Sequence, residues 1–257
     1  MGKQSGLRQA LYVDGLNISG DINSFSKLGG GCAVIEMTGI DKAAFERKGG
    51  LRDGGIDAVT YFNPGTLNWA SPLVDTGSHA LLRQMGLADK VLTFVDPLSG
   101  IAAGLVAKQG TYEATRAADG ALTINVSSMA NGYGFEWGDA LTAASPGGVR
   151  TDTTPTSPAT GLDGAAATAF GAQAYLHCFN LVGTNVIVKI QDSADNATFA
   201  DVTGLTFTSV TAAPAAERLQ TGRTATLRRY VRAITTGTFT SASFAVMVVR
   251  NPVAVDF

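Results

Sequence analysis

Between Leu11 and Pro64 glycine interrupts the chain too often for a long helix, and this spacing most constrains the fold. Asp14–Gly15, Gly29–Gly30–Gly31, Gly39, Gly49–Gly50 and Gly54–Gly55 cut the stretch into short runs. Glycine in a helix interior costs about 1 kcal/mol relative to alanine, and it is favoured where a chain turns. The runs between the glycines alternate. Cys32, Val34 and Glu36 take one parity, and Ala33, Ile35 and Met37 take the other, which is the period of a strand. Leu11–Ile18, Cys32–Thr38 and Ile56–Phe62 therefore read as strands. Asp14–Gly15 reads as a tight turn, the glycine triplet as a flexible break, and Pro64 as an end.

The rest of the chain follows the same pattern. Lys90–Val95, Ile101–Ala107, Gly110–Arg116, Leu122–Ser127 and Tyr133–Leu141 read as strands, the second and third as two strands or one bent one. One short helix is expected at Ser78–Met85, capped by Ser78 and stopped by Gly86. Residues 1–10 read as a mobile arm. Ala144–Gly164 is rich in Thr, Pro, Ser and Gly without periodicity, so it reads as a spacer. Beyond it, turn signals recur every 8–12 residues, the pattern of a sandwich. Tyr175–Val182 and Asn185–Gln191 read as strands joined at Gly183–Thr184. Phe199–Val202, Leu205–Val210 and Arg218–Thr221 are short strands. Ala225–Thr235 and Thr238–Arg250 are long ones joined at Thr236–Gly237. The expected class is mainly β. Residues 1–144 form a β-sandwich or barrel with one short helix, 145–164 a linker, and 165–257 a second β-sandwich of jelly-roll or immunoglobulin-like type.

Composition narrows the function. Only 16% of residues are charged and the formal net charge is −2, which gives no gross attraction to nucleic acid or an acidic membrane. No run approaches the roughly 20 apolar residues of a membrane helix. The first residues hold no apolar run of signal-peptide length, so assembly in cytoplasm is expected. Cys32 and Cys178, in small apolar surroundings, read as buried free thiols. His177 precedes Cys178, but adjacent strand residues point to opposite faces and make no nucleophilic pair. His79 sits alone at the start of the helix. No metal-ligand spacing, nucleophile elbow or phosphate loop is present, so neither catalysis nor a cofactor or metal is expected. Asp192, Asp195 and Asn196 fit a turn better than a calcium loop, which needs six or more oxygens.

Two surfaces remain. The segment Ile40–Gly54 carries Phe45 and Leu51 among Arg47, Lys48 and Arg52. Apolar anchors flanked by cations suit a contact between subunits. The segment is expected to be disordered in a free subunit and ordered on assembly, because its glycines cost entropy to fix. Arg228, Tyr230 and Arg232 share one parity of a strand. They read either as a stripe for an anionic polymer or sugar or as an ordinary solvent-facing stripe.

Two stretches carry a resemblance. The first is VDGLNISGDINSF, GGGCAVIEMTGID and GGLRDGGIDAVTYFNP; the second is VIVKIQDSADNATFADVTG with RRYVRAITTGTFTSASFAVMVVRNP. Together they resemble the major tail (tail-tube) proteins of long-tailed bacteriophages, particularly those of actinobacterial hosts, with an appended carboxyl-terminal β-sandwich. The resemblance implies hexameric rings stacked into a tube that conducts DNA without binding it specifically. Strands flanking a long charged loop resemble the part of such subunits that meets the next ring. It further implies that sheets of neighbouring subunits join, that the carboxyl-terminal sandwich decorates the outside, and that the partners are copies of the chain and other tail proteins. The location implied is the virion tail.

Overall fold

The computed structural model describes residues 7–65, 77–84, 86 and 88–255. The protein is mainly β, as expected, with one short α-helix among these residues. The strands are β1 (Ala10–Val13), β2 (Leu16–Asn17), β3 (Ile22–Glu36), β4 (Arg47–Tyr61), β5 (Lys90–Val95), β6 (Ile101–Arg116) and β7 (Leu122–Ala130). They continue with β8 (Glu136–Ala140), β9 (Arg150–Asp152), β10 (Leu162–Asp163), β11 (Ala172–Ser193), β12 (Ala200–Thr206), β13 (Ala215–Gln220) and β14 (Tyr230–Arg250). The helix α1 is Ser78–Leu82. Met85, part of the helix expected from the sequence, and residues 1–6 of the expected arm lie outside the described residues. No described helix is long and apolar enough to cross a membrane.

Contacts group the chain into two compact units. The larger is Met1–Gly20, Val91–Gly104 and Trp137–Phe257; the smaller is Asp21–Lys90 and Leu105–Glu136. This division differs from the expected boundary at 145–164. Within that stretch β9 pairs Ala242–Phe244 and β10 pairs Tyr230–Val231 of β14. Arg150 explains the attachment of β9. Its guanidinium donates to both carboxylate oxygens of Asp152 and to the Ala233 carbonyl, and Thr235 Oγ1 donates to Asp152 at 2.6 Å. Half of this buried polar network comes from β14, so local composition gives no sign of it.

The larger unit is built on β11 and β14, which pair antiparallel from Ala172↔Arg250 to Ser193↔Tyr230. β13 lines the first half of β11 and β12 the second. Leu176, Ile190, Leu205, Phe207, Leu227 and Phe244 fill the core beneath them, each at most 1% exposed. Gly183 and Gly237, read from sequence as chain reversals, instead lie inside continuous strands. A Cβ on Gly183 would sit 2.4 Å from Phe239 Cα, and one on Gly237 would sit 2.5 Å from the Asn185 carbonyl oxygen. Both have positive φ, so each lets the ladder bend while the partner strand stays close. The two expected strands between Phe199 and Val210 are replaced by the single strand β12. At the other end of the unit Asp14 and Gly15 both have positive φ, and Val13 pairs Leu16 across them. This is the two-residue hairpin expected from Asp-Gly. β1 then pairs along β5.

In the smaller unit the strand order is β3–β4–β7–β6. β6 is one strand with an irregularity between Gln109 and Thr111. The helix N-terminus is satisfied from a distance: the Ser78 N–H donates to Asp21 Oδ2 at 3.3 Å and the His79 N–H to the Asn63 carbonyl at 3.1 Å. Ser78 is the first helical residue and not the cap, which is Gly77. The triplet Gly29–Gly31 is no break. It is mid-strand, paired with Gly55, Gly54 and Asp53. Its partner glycine is needed for close packing, because a Cβ on Gly54 would lie 2.4 Å from Phe135 Cβ.

Candidate assembly interface

β4 pairs β7 only from Gly55↔Met129 to Tyr61↔Thr123. Beyond Gly55 the β3–β4 hairpin continues through Gly54↔Gly30 to Arg47↔Glu36 with no third strand beside it among the described residues. Most of the expected loop Ile40–Gly54 is therefore strand. Only Met37–Glu46 lies outside the ladder. That tip closes on itself: the Met37 N–H donates to the Glu46 carbonyl at 2.9 Å and the Glu46 N–H to Thr38 Oγ1 at 3.1 Å. Lys42 meets Asp41 at 3.6 Å and Glu46 at 3.7 Å, exposed pairs worth at most about 1 kcal/mol each.

The structure separates the five predicted contact residues. Phe45 stands on the tip, 65% exposed, with the Arg47 guanidinium 4.8 Å above its ring. Lys48 faces Ile35 across the ladder. Leu51 sits at the bulge opposite Ala33 and is 88% exposed. Arg52 belongs to the base, where its guanidinium lies over Gly134 and leaves a Cβ there only 2.9 Å from Nε.

Sequence reasoning missed the greater part of the apolar surface. Val34, Ile35, Met37 and Ile40 are all exposed beside Phe45 and Leu51. By ladder parity Val34 lies on the same face as Cys32, Glu36 and Arg47, whereas Ile35 and Met37 lie on the other. Both faces therefore carry exposed apolar side chains among charged ones. The unbroken run Cys-Ala-Val-Ile was the available signal, since strands buried on both faces read as continuous apolar runs. Cys32, expected to be buried, is exposed because its strand has left the three-stranded part of the sheet.

The side chains of the Arg228–Arg232 stripe have partners within the chain. Arg228 donates through Nε to Asp192 Oδ1 at 2.7 Å and through its backbone N–H to Oδ2 at 2.8 Å. Arg232 donates to Gln191 Oε1 and to the Pro158 carbonyl, and it stacks 3.9 Å from the Phe199 ring centroid. Tyr230 lies under the Arg229 guanidinium, which is paired to Asp163. Asp195 accepts from the Thr198 and Ala197 N–H groups and from Ser193 Oγ, which hold its carboxyl below the usual range. It closes a turn, as expected, and no group of metal-binding side chains occurs among the described residues.

His177 and Cys178 take opposite faces of β11, as strand geometry requires. Cys178 belongs to the core, and burial pushes its thiol up to about 11. His177 Nδ1 accepts from the Gly15 N–H at 3.1 Å, so a neutral ring carries its proton on Nε2, 2.9 Å from Thr93 Oγ1.

No family model and no curated sequence matches the chain. Among solved structures it is similar to the sheath/tube terminator of an extracellular contractile injection system, PVC, at TM-score 0.38 and 14% identity, over 51% of this chain and 94% of that one. It is also similar to the Dit protein of phage SPP1, described as a hub adsorption apparatus, at TM-score 0.33 and 12% identity, over 93% and 98% of the two chains. A third similarity is to a chain of the phage p2 baseplate, at TM-score 0.34 and 8% identity, over 96% and 99%.

Proposed function

We propose that this protein is a non-catalytic structural subunit of a phage tail that assembles with copies of itself through the β3–β4 hairpin. The observation that carries the reading is a projecting hairpin with apolar side chains exposed on both faces. Water is a poor environment for such an element. Burying Phe45 and Leu51 alone would contribute roughly 1.5–3 kcal/mol each. The outer edge of β3, 15 residues long, supports the same reading. Such an edge presents unpaired backbone donors and acceptors to a second strand, and natural proteins usually cover or charge it. A subunit that joins sheets with its neighbours has a use for both features.

In the finer form of the proposal, supported by the sequence resemblance, the subunits form hexameric rings that stack into the tail tube. The hairpin meets the next ring, with other tail proteins at the tube ends. A net charge of −2 suits a conduit through which DNA passes without binding, because each phosphate contact would slow transit.

Sedimentation velocity and negative-stain microscopy test the proposal. The purified chain should form rings or rods. Phe45→Ser combined with Leu51→Ser should stay at subunit mass with an unchanged circular dichroism spectrum. A wild-type protein that remains monomeric at every concentration, or a double variant that assembles in full, overturns it.

A further inference from the structure

His177 ties β11 to two separate places in the amino-terminal layer. It reaches Gly15 in the β1–β2 turn through Nδ1 and Thr93 on β5 through Nε2. The ring is 1% exposed. Tyr12 lies 5.7 Å and Phe179 6.4 Å from it, centroid to centroid. The turn is pressed hard against the sheet: a Cβ on Gly15 would stand 2.5 Å from Ala215 N and 2.9 Å from the Cys178 carbonyl oxygen. The Gly15 N–H has no room to turn toward water, and its acceptor is the imidazole.

A backbone N–H can only donate. An imidazolium carries protons on both nitrogens, so its Nδ1–H would point at the Gly15 N–H with no lone pair between them. Protonation therefore replaces a hydrogen bond with two opposed donors at a buried site. The titratable groups on the packed elements are few. On β1 the Tyr12 phenol is held neutral by burial and donates to the Gly147 carbonyl. In the turn the Asp14 carboxylate accepts from the Val91 N–H at 2.8 Å. On β5 the nearest contact is the non-titrating Thr93, with Lys90 at the strand's far end. β13 and β14 present Ala216 and Ala245 opposite His177, and two residues along on the same face of β13 the Arg218 guanidinium donates through Nε to the Tyr175 hydroxyl at 3.1 Å. None of these hydrogen bonds supplies a carboxylate to the ring.

We propose that His177 is an acid-released pin: its protonation undocks the amino-terminal layer, the β1–β2 turn and β5, from β11 while the β11–β14 core stays folded. Desolvation of the buried ring acts in the same direction and lowers its titration from the ordinary 6.5 to about 3. The sign follows. The docked state holds fewer protons than the undocked one between these values, so docking is complete above the ordinary histidine value and weakens as pH falls through the window. One proton released per docking event makes the undocking equilibrium grow about tenfold per pH unit.

The chain holds only two histidines, so a carbon-13 histidine spectrum has two signals, with His79 as internal reference. Amide exchange, corrected for intrinsic pH dependence, is followed at Gly15, at Val91–Val95 and at Val186–Ile190. The expected result is a His177 ring that stays neutral from pH 7 through about pH 5. Gly15 protection should fall about tenfold per pH unit as the window is crossed, while Val186–Ile190 stays protected. His177→Gln, which keeps an acceptor but does not titrate, should abolish the acid step; if that variant does not fold, the wild-type titration alone decides. The proposal is overturned if His177 titrates near 6.5 with Gly15 still protected, if the core loses protection together with Gly15, or if folded His177→Gln keeps the same acid step.

Discussion

Gly54→Ala separates two accounts of the glycines in the hairpin, because they predict opposite signs. If Gly54 is a flexible joint, alanine narrows the unfolded ensemble and stabilises by about 0.4–1 kcal/mol. If the glycine is there for close approach, alanine must overpack. The structure favours the second account. The added Cβ would meet Phe135 Cβ at 2.4 Å and the Gly29 carbonyl oxygen and Gly30 Cα at 3.1 Å. Carbon atoms pack at about 3.5–4.0 Å, so Phe135 or the paired strand must retreat by roughly 1 Å or more. Forced overpacking of this kind costs about 1–3 kcal/mol. For a chain of this size that is a fall of roughly 2–12 °C in Tm. Gly31→Ala is the control. Nothing lies within 4 Å of its added Cβ, and the site is exposed. It should match the wild type or melt slightly higher. Thermal unfolding followed by circular dichroism reads both variants. A Gly54→Ala protein that melts at or above the wild type would falsify the packing argument.

Two other perturbations test how the larger unit is held. Arg228→Ala leaves the Asp192 carboxylate, 7% exposed, without its guanidinium. It should cost roughly 2–3 kcal/mol in urea unfolding, somewhat less than a fully buried pair because the Arg228 backbone N–H still donates; an unchanged midpoint would return the stripe to a surface role. A chain ended at Ala144 loses β11 and β14, hence the Met247↔Ala140 pairing of β8 and the acceptor for the Gly15 N–H. Hydrogen exchange should show β1 and β5 unprotected in this fragment, and native-like protection there would mean that the amino-terminal layer stands without its long-strand support.

What could be read from the chain was local. Period-two runs and the Asp14–Gly15 turn are set by residues within a few positions, and they fall where expected. Glycine was misread where its reason was distant. Gly183, Gly237 and Gly54 signal special backbone or close approach, but only the strand or ring lying against them says which. The spacer was misread for a related reason: Thr and Pro look unstructured until Arg150 finds the Ala233 carbonyl and Asp152 finds Thr235. At the candidate interface, Phe45 and Leu51 stood out because charges surround them. Val34 and Ile35 did not, since an alternating strand is normally credited with one buried face, and nothing local says that the sheet beside it ends at Gly55.

The order in which the chain visits its two units has a consequence for synthesis. A nascent chain completes every segment of the smaller unit by Glu136, whereas the larger unit waits for β14, which pairs with β8, β9, β10 and β11. Chains on a ribosome grow at roughly 5–20 residues per second, so several seconds separate the two events. During that interval the apolar hairpin is already displayed while β1 and β5 still lack their cover. On a polysome, neighbouring nascent chains would present these hairpins to one another at high local concentration before any is finished. The last 21-residue strand thus sets the interval between completion of the smaller unit's segments, with its exposed apolar hairpin, and closure of the larger unit.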